Sequence, residues 1–322
     1  MVKPLNTYTL HLTDPQAKRL HKIMQQGDYA FREVPYSRFA GSKDQVQVVF
    51  YESGKLVVQG KGTREFIEFV LEPEVLKEAR LGYEEVHQPE IYLPRFGIDE
   101  SGKGDFFGPL CVAGVYINEQ VVRAWKELGI RDSKRISSDK KIADYAEQIE
   151  KTPGCIARVV PIGNEAYNRL MKSMGSVNRL LAWGHARVIE NLLLQKHRMD
   201  PLPARAISDQ FASTKSTVAT ALMSLGREIE LVQRHHAESD LAVAAASILA
   251  RNEFVRRLAA MEKELEIPLP KGAGEQTEAA GRKIVERYGE DRLGQVAKMH
   301  FRNAYRVLGL PEPPRKTWKK KK

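Results

Sequence analysis

Of all the stretches in this chain, Gly97–Leu110 most strongly constrains the fold. An apolar, strand-like run delivers two adjacent carboxylates, Asp99 and Glu100, to a turn in which glycines stand on both sides of Lys103. Hard divalent cations such as Mg²⁺ take oxygen ligands, usually a few carboxylates together with water and substrate phosphate. Glycines beside such a site let the backbone approach a ligand closely. The stretch therefore predicts a strand that ends at a cation-binding end of a sheet.

The adjacency of the two acids sets a geometric condition. Neighbouring side chains of a regular strand point to opposite faces of the sheet. Asp99 and Glu100 can therefore serve one metal centre only if the strand ends or distorts between them. The glycine turn that begins at Ser101 predicts such a break. The alternative interpretation is an ordinary strand end, with two solvated acids beside a turn.

Strands and helices alternate from Phe96 onward, which predicts an α/β fold with helices flanking a mixed sheet. The strand-like runs are 96–99, 110–117, 156–161, 204–208 and 228–233. The helical patterns cover 119–128, 138–150, 176–197, 240–260, 276–288 and 291–308. We assign 96–312 to this domain and the basic residues 313–322 to a flexible tail.

Residues 1–85 predict a separate α+β unit. Capping and turn residues mark its elements: a strand at 7–12, a helix entered through Thr13 and Gln16, a hairpin of 45–51 and 55–59 around Ser53 and Gly54, and a helix capped by Thr63. The polar, proline-containing stretch 72–95 predicts a connection with one helical turn, and 86–95 is assigned as the linker.

Charge and cysteine content narrow the class of protein. The chain has 51 Lys and Arg against 41 Asp and Glu, a net charge of +10, which favours encounter with polyanions such as nucleic acid. Two cysteines, Cys111 and Cys155, make neither a disulfide framework nor a zinc site.

The start lacks the apolar core of a signal peptide, and the longest apolar run, Leu241–Ala250, is too short to span a bilayer. We expect a cytoplasmic protein.

Gly97–Leu110 resembles the signature of type 2 ribonucleases H, and Lys103 with the following Phe-Phe pair favours the ribonuclease HIII type. Other stretches resemble the same family and follow in its order: 131–134, 206–212, 238–253, 270–274 and 297–301. The resemblance implies a ribonuclease H-like mixed sheet flanked by helices. It also implies that 1–85 is a substrate-binding α+β domain resembling the TATA-box-binding protein fold.

The resemblance extends the acidic set to Asp209 and Asp240. Asp209 follows a strand-like run, where α/β proteins place functional groups, although a strand-end Asp that only caps a turn is the other interpretation. Asp240 opens a helix with a small apolar face, and a first-turn acid also suits the helix dipole. The family implies that Asp99, Glu100, Asp209 and Asp240 together hold two divalent ions, Mg²⁺ or Mn²⁺.

The implied activity is hydrolysis of the RNA strand of RNA–DNA hybrids by a two-metal mechanism that leaves 5′-phosphate and 3′-hydroxyl ends. Gly102, Lys103 and Gly104 would read the ribose 2′-hydroxyl, the group that distinguishes RNA from DNA. Ser133 and Lys134 would contact a phosphate, and a helix cap with a solvated lysine is the alternative.

Two rival functions are weighed against this one. A ribonuclease HII-like enzyme would incise at single embedded ribonucleotides, but the glycine-lysine-glycine turn, the stretch 270–274 and the N-terminal unit favour the HIII type. A non-catalytic nucleic-acid-binding protein would have no need of all four acids. No obligate protein partner is evident from the sequence, and a monomer is expected.

Overall fold

The chain divides into two compact units, Met1–Glu90 and Ile91–Lys322. The computed structural model describes residues 5–78, 89–128, 130, 136, 138–209, 226, 229–234 and 237–314. Within those ranges, no helix combines the length and the apolar character needed to cross a membrane. Each unit buries its own clusters of apolar side chains.

The N-terminal unit is an α+β fold. Its described elements are β1 (Thr7–His11), α1 (Asp14–Gln26), β2 (Ala30–Phe31), β3 (Ser37–Lys43), β4 (Val46–Tyr51), β5 (Lys55–Gln59), α2 (Thr63–Phe66) and a π-helix that continues it (Ile67–Leu76). The strands form an antiparallel sheet in the order β1-β5-β4-β3-β2. Leu20 of α1, Phe50 of β4 and Leu71 of the π-helix share one buried core.

Local signals identified part of this unit correctly. The Thr13 backbone N–H donates to the Gln16 side chain at 2.9 Å, as the capping box predicts. Gly54 adopts φ +81° in the turn between β4 and β5, which confirms the hairpin. Strand β3 was not predicted, because its sequence mixes small and charged residues and has no clear apolar alternation.

Two predictions near the end of the unit are wrong. Gly62, not Thr63, holds the N-cap position of α2, and the Thr63 hydroxyl instead donates to the Gly60 carbonyl at 2.7 Å. The connection expected from residue 72 onward does not begin there, because the π-helix continues to Leu76 and buries Val75 in the core. Apolar burial outweighs the polar, proline-containing pattern at this point.

From Pro89 onward the chain alternates strands and helices. The described elements are a 3-10 helix (Pro89–Tyr92), β6 (Arg95–Ser101), β7 (Leu110–Ile117), α3 (Glu119–Leu128), α4 (Asp139–Lys151), β8 (Ile156–Ile162), α5 (Asn164–Met174), α6 (Val177–Leu193), a 3-10 turn (Lys196–Arg198), β9 (Arg205–Asp209), β10 (Glu230–Arg234), a 3-10 turn (Ala237–Ser239), α7 (Leu241–Leu265), α8 (Glu275–Tyr288), α9 (Glu290–Val296) and α10 (Arg302–Val307). The strands form a mixed sheet in the order β10-β9-β6-β7-β8.

Helices cover both faces of the centre of this sheet. On one face Val112 of β7 packs in the same cluster as Val188 of α6, and on the other Val115 of β7 packs with Ala245 of α7. Burial on both faces explains why β7 is apolar throughout. Gly97 permits close packing, since a Cβ there would lie 2.1 Å from the Ala242 carbonyl carbon.

The prediction of a single helix over 291–308 is wrong. Helix α9 ends at Val296 and α10 begins at Arg302, and the residues between them leave the helix. Ala297 forms an isolated antiparallel bridge with Phe107, and the Lys298 N–H donates to the Phe106 carbonyl at 2.8 Å. The segment is thereby drawn into a tertiary contact that helical periodicity does not reveal.

Candidate active site

The carboxyl ends of β6 and β9 bring two of the acids together. These strands are parallel neighbours whose register pairs Ile98 with Ser208, so Asp99 and Asp209 are the next residues along. Neighbouring strands lie about 4.8 Å apart, and residues in register project from the same face. Asp99 Oδ1 also accepts a hydrogen bond from the Glu100 backbone N–H at 2.9 Å. Asp99 and Asp209 therefore stand side by side at one end of the sheet.

Glu100 projects from the opposite face. The expected break between Asp99 and Glu100 is wrong, because β6 stays paired with β7 through Ser101. Glu100 consequently meets α6, where its Oε2 lies 3.1 Å from Nε2 of His185, a side chain that is 1% exposed. Its Oε1 lies 3.6 Å from Nζ of Lys103 in the glycine turn.

The surroundings of Glu100 keep its carboxylate charged. Burial alone would raise the pKa of this group. The hydrogen bond from His185 and the attraction of His185 and Lys103 outweigh that effect and lower the pKa of Glu100 below its ordinary value. Glu100 is thus an ionised carboxylate, oriented by the buried His185 and the more exposed Lys103.

Asp240 combines a capping role with a buried ion pair. Its Oδ1 accepts from the Ala242 N–H at 2.9 Å, which caps α7. Its Oδ2 lies 2.9 Å from Nε of Arg95 and 3.2 Å from Arg234. Arg95 is 3% exposed and also donates to two backbone carbonyls of the segment that precedes β6. Both carboxylate oxygens of Asp240 thus have protein partners. Asp240 caps the helix, which is the structural role that its sequence position had left open.

We expect Asp240→Asn to destabilise the protein by about 3–5 kcal/mol, because the amide can still cap α7 but leaves the Arg95 charge buried without its counter-ion. Denaturant unfolding of the variant and the wild type measures the difference. Asp144→Asn makes the same chemical change at an exposed position of α4 and should leave stability nearly unchanged. An Asp240→Asn protein as stable as the Asp144→Asn control would show that the ion pair contributes nothing to the fold.

The four acids have the right chemistry for a hard cation but are not gathered into one cluster. Carboxylate oxygens are the ligands that Mg²⁺ and Mn²⁺ prefer. Across the described residues, no three Asp, Glu, His or Cys side chains form a group that could hold a metal ion. Glu100 is turned towards α6, and Asp240 is bound to two arginines. Asp99 and Asp209, side by side at the strand ends, fit a divalent cation in their chemistry, whereas Glu100 and Asp240 are held by other side chains in this structure.

The glycine turn after β6 presents open backbone. Gly102 adopts φ +90°, and a Cβ there would lie 2.2 Å from the Pro109 carbonyl oxygen, so this position requires glycine. Lys103 and Gly104 are exposed, and a Cβ on Gly104 would meet nothing within 4 Å. A ligand can therefore approach the backbone of the turn from solvent.

A second loop supports the turn from the side. Asp105 Oδ1 accepts from the Gly272 N–H at 2.6 Å, and the Phe106 N–H donates to the Gly272 carbonyl at 2.8 Å. Next to Gly272, Lys271 donates to Asp139 at 2.6 Å. The stretch 270–274, noted in the sequence for its family resemblance, is therefore a structural neighbour of the turn.

Ser133 and Lys134 lie outside the described residues, so their phosphate contact stays a prediction. The end of that segment is described. Arg251 donates to the Ile136 carbonyl at 2.9 Å and pairs with Asp139 at 3.2 Å.

Sequence reasoning gave no role to three residues that shape the site: Arg95, His185 and Lys298. Lys298 does lie within the stretch 297–301, noted in the sequence for its family resemblance. Arg95 and His185 bind the proposed ligands Asp240 and Glu100 directly. The available signal was a polar side chain at an otherwise apolar position, which is costly to bury without a partner. Metal-ligand spacing, which the histidines of this chain lack, does not find such residues.

Sequence comparisons show what the chain is similar to. The family model "Ribonuclease HII" matches residues 96–304. A ribonuclease HIII of Protochlamydia amoebophila (strain UWE25) is 44% identical over 293 residues, which cover 91% of this chain and 94% of that protein. A ribonuclease HIII of Chlamydia pneumoniae is 40% identical over 92% of this chain and 96% of its own length.

A solved structure agrees with the sequence comparisons. Bst-RNase HIII in complex with Mn²⁺ superposes with a TM-score of 0.63 at 26% identity, covering 94% of this chain and 98% of that one. The match includes the N-terminal unit. It confirms the predicted fold class, a ribonuclease H-like mixed sheet flanked by helices and preceded by an α+β domain that resembles the TATA-box-binding protein.

Proposed function

Since the chain belongs to the ribonuclease HIII family, we propose that it is a metal-dependent endoribonuclease that hydrolyses the RNA strand of RNA–DNA hybrids. The observation that carries this function is the position of Asp99 and Asp209 on adjacent parallel strands, next to the exposed glycine turn. Asp99 lies near the end of β6, the glycine turn directly follows that strand, and Asp209 ends the neighbouring strand β9. A phosphodiester and its ribose can therefore meet both at once.

Asp99 and Asp209 are the central ligands in this proposal, and Glu100 and Asp240 complete the set. Two bound Mg²⁺ or Mn²⁺ ions would supply an activated water and stabilise the leaving 3′ oxygen. The protein orients the carboxylates that hold them. His185 and Lys103 keep Glu100 ionised, and Arg95 holds Asp240 at the start of α7. Arg234, at 47% exposure, is the partner of Asp240 that can move away most easily.

Substrate selection is assigned to the glycine turn. Gly102, Lys103 and Gly104 offer backbone groups to the ribose 2′-hydroxyl, which is both donor and acceptor. The ion pair between Lys103 and Glu100, at 3.6 Å, connects this turn to the acidic site. Ser133 and Lys134 are proposed to bind a phosphate of the same strand.

The N-terminal unit is proposed to bind the hybrid duplex. Basic side chains are exposed on it, among them Lys18, Lys43 and Lys55. Contacts of this kind neutralise phosphates irrespective of sequence. We further propose that the protein acts as a monomer in the cytoplasm, where its free thiols, Cys111 and Cys155, would stay reduced.

A substrate panel tests the function. With Mg²⁺ we expect cleavage of an RNA–DNA hybrid, and no cleavage of DNA or RNA duplexes of the same sequence. A DNA duplex with one embedded ribonucleotide should be cut far more slowly than the hybrid. Preference for that single ribonucleotide would favour the ribonuclease HII-like alternative. Tight hybrid binding without any cleavage would favour the non-catalytic one.

A further inference from the structure

Lys298, between α9 and α10, is fully buried and binds the segment that follows the glycine turn. Its backbone N–H donates to the Phe106 carbonyl at 2.8 Å. Its Nζ donates to the carbonyls of Asp105 at 2.9 Å and Gly108 at 2.5 Å, with a longer contact of 3.4 Å to Phe107. One residue thus engages four successive carbonyl oxygens of the motif.

Packing alone does not account for a lysine at this position. Its neighbours Phe106, Phe107 and Ala297 belong to an apolar cluster, in which an apolar side chain would be easier to accommodate. Burial lowers the pKa of Lys298 to about 7, so the ammonium form is held there at a cost in free energy. The hydrogen bonds that Nζ donates to the carbonyls of Asp105 and Gly108 offset that cost and tie the lysine to this motif.

The glycine turn depends on the segment that Lys298 holds. Gly102 and Gly104 have no side chains with which to anchor the turn. Its far end is fixed by the Asp105 N–H, which donates to the Gly102 carbonyl at 3.4 Å, and by the Gly272 N–H, which donates to Asp105 Oδ1 at 2.6 Å. A shift of the Asp105–Gly108 carbonyls would therefore move the backbone groups that face the substrate.

We propose that Lys298 is a positioning residue that fixes the glycine turn for the ribose 2′-hydroxyl and thereby sets the discrimination between RNA and DNA. This inference rests on the proposed ribonuclease function. Lys298 acts through the Asp105–Gly108 backbone and does not touch the substrate. Substituting Lys298 should reduce the selectivity for ribose more than it reduces the stability of the fold.

The test compares Lys298→Met with a matched control, Asn168→Ala. Methionine retains the length of the side chain but donates no hydrogen bond. Asn168 tethers the same segment from the other side, donating to Ala297 and Gly294 and accepting from the Met299 N–H, each at 2.9 Å, without contacting the carbonyls of the motif. Both substitutions loosen the segment, but only the first releases the carbonyls.

The measured quantity is the loss of kcat/KM when one ribose near the cleaved bond is replaced by deoxyribose, determined for each position in turn. For the most sensitive position, this loss should shrink about tenfold or more in Lys298→Met, because a displacement of ångström size is enough to remove a positioned contact. Asn168→Ala should retain the wild-type loss even if its melting temperature falls. An unchanged loss in folded Lys298→Met would overturn the inference.

Two further outcomes are decisive. If Lys298→Met does not fold, Lys298→Gln, which keeps an amide donor on a shorter side chain, is measured in the same way and should show a reduced loss. Failure of both variants to fold beside a folded Asn168→Ala would make Lys298 purely structural and overturn the inference. A wild-type protein that does not cleave the hybrid would overturn the proposed function itself.

Discussion

Replacing Asp99 by asparagine should lower the rate of hybrid cleavage by about a hundredfold or more, because the metal ions that Asp99 would hold supply several kcal/mol of transition-state stabilisation. Asparagine keeps the shape of the side chain and can still accept from the Glu100 N–H. It removes the negative charge that would hold the cations. Asp209→Asn should have an effect of similar size, because Asp209 is the neighbour of Asp99 on the parallel strand.

Hybrid binding separates this effect from misfolding. The affinity of Asp99→Asn for a hybrid should stay close to that of the wild type, because binding depends largely on contacts with phosphates. Asp144→Asn removes one charge on exposed α4 and serves as the control for both activity and affinity. Near-normal cleavage by both Asp99→Asn and Asp209→Asn with Mg²⁺ would contradict the two-metal assignment.

A truncated chain starting near Gln88 should bind hybrids about a hundredfold more weakly, because a tethered second binding surface raises the effective concentration of the first. The N-terminal core around Phe50 and Leu71 is a separate cluster, so its removal leaves the apolar clusters of the other unit complete. Cleavage should be poor at low substrate and recover towards saturation. The dependence of binding on salt should also become shallower, since fewer phosphates are covered.

Circular dichroism of the truncated chain checks that it stays folded, and a salt titration of hybrid binding gives the comparison with the full chain. A folded, truncated protein with unchanged affinity and unchanged salt dependence would contradict the substrate-binding role. The N-terminal unit would then only stabilise the fold.

The elements that sequence predicted best are those in which local pattern and burial agree. β7 was predicted with the correct bounds because Leu110–Ile117 is apolar throughout and is buried on both faces. Helix α7 follows the apolar spacing after Asp240. Helix α5 was not predicted, because few of its side chains are buried and its sequence, Asn164–Met174, is largely polar.

The sequence proposed a set of site residues but not the geometry in which the structure places them. Local sequence places Asp99 and Glu100 next to the glycine turn, and the strand pattern places Asp209 at a carboxyl end. The most deeply buried partners of these acids, Arg95 and His185, come from distant parts of the chain. Arg95 and Asp240 are 145 residues apart, and His185 and Glu100 are 85 apart. Such pairings arise only when the sheet forms, so no local pattern encodes them.

The most direct test of the account is the chemistry of the cleaved ends. The protein is incubated with an RNA–DNA hybrid labelled on the RNA strand, with Mg²⁺ or with a chelator, and both new ends are identified. Water attack with departure of the 3′ oxygen predicts internal cuts with 5′-phosphate and 3′-hydroxyl ends, and no cuts with the chelator. Chelator-resistant cleavage that leaves 2′,3′-cyclic phosphate would mean that the 2′-hydroxyl is the nucleophile, which would contradict the proposed mechanism.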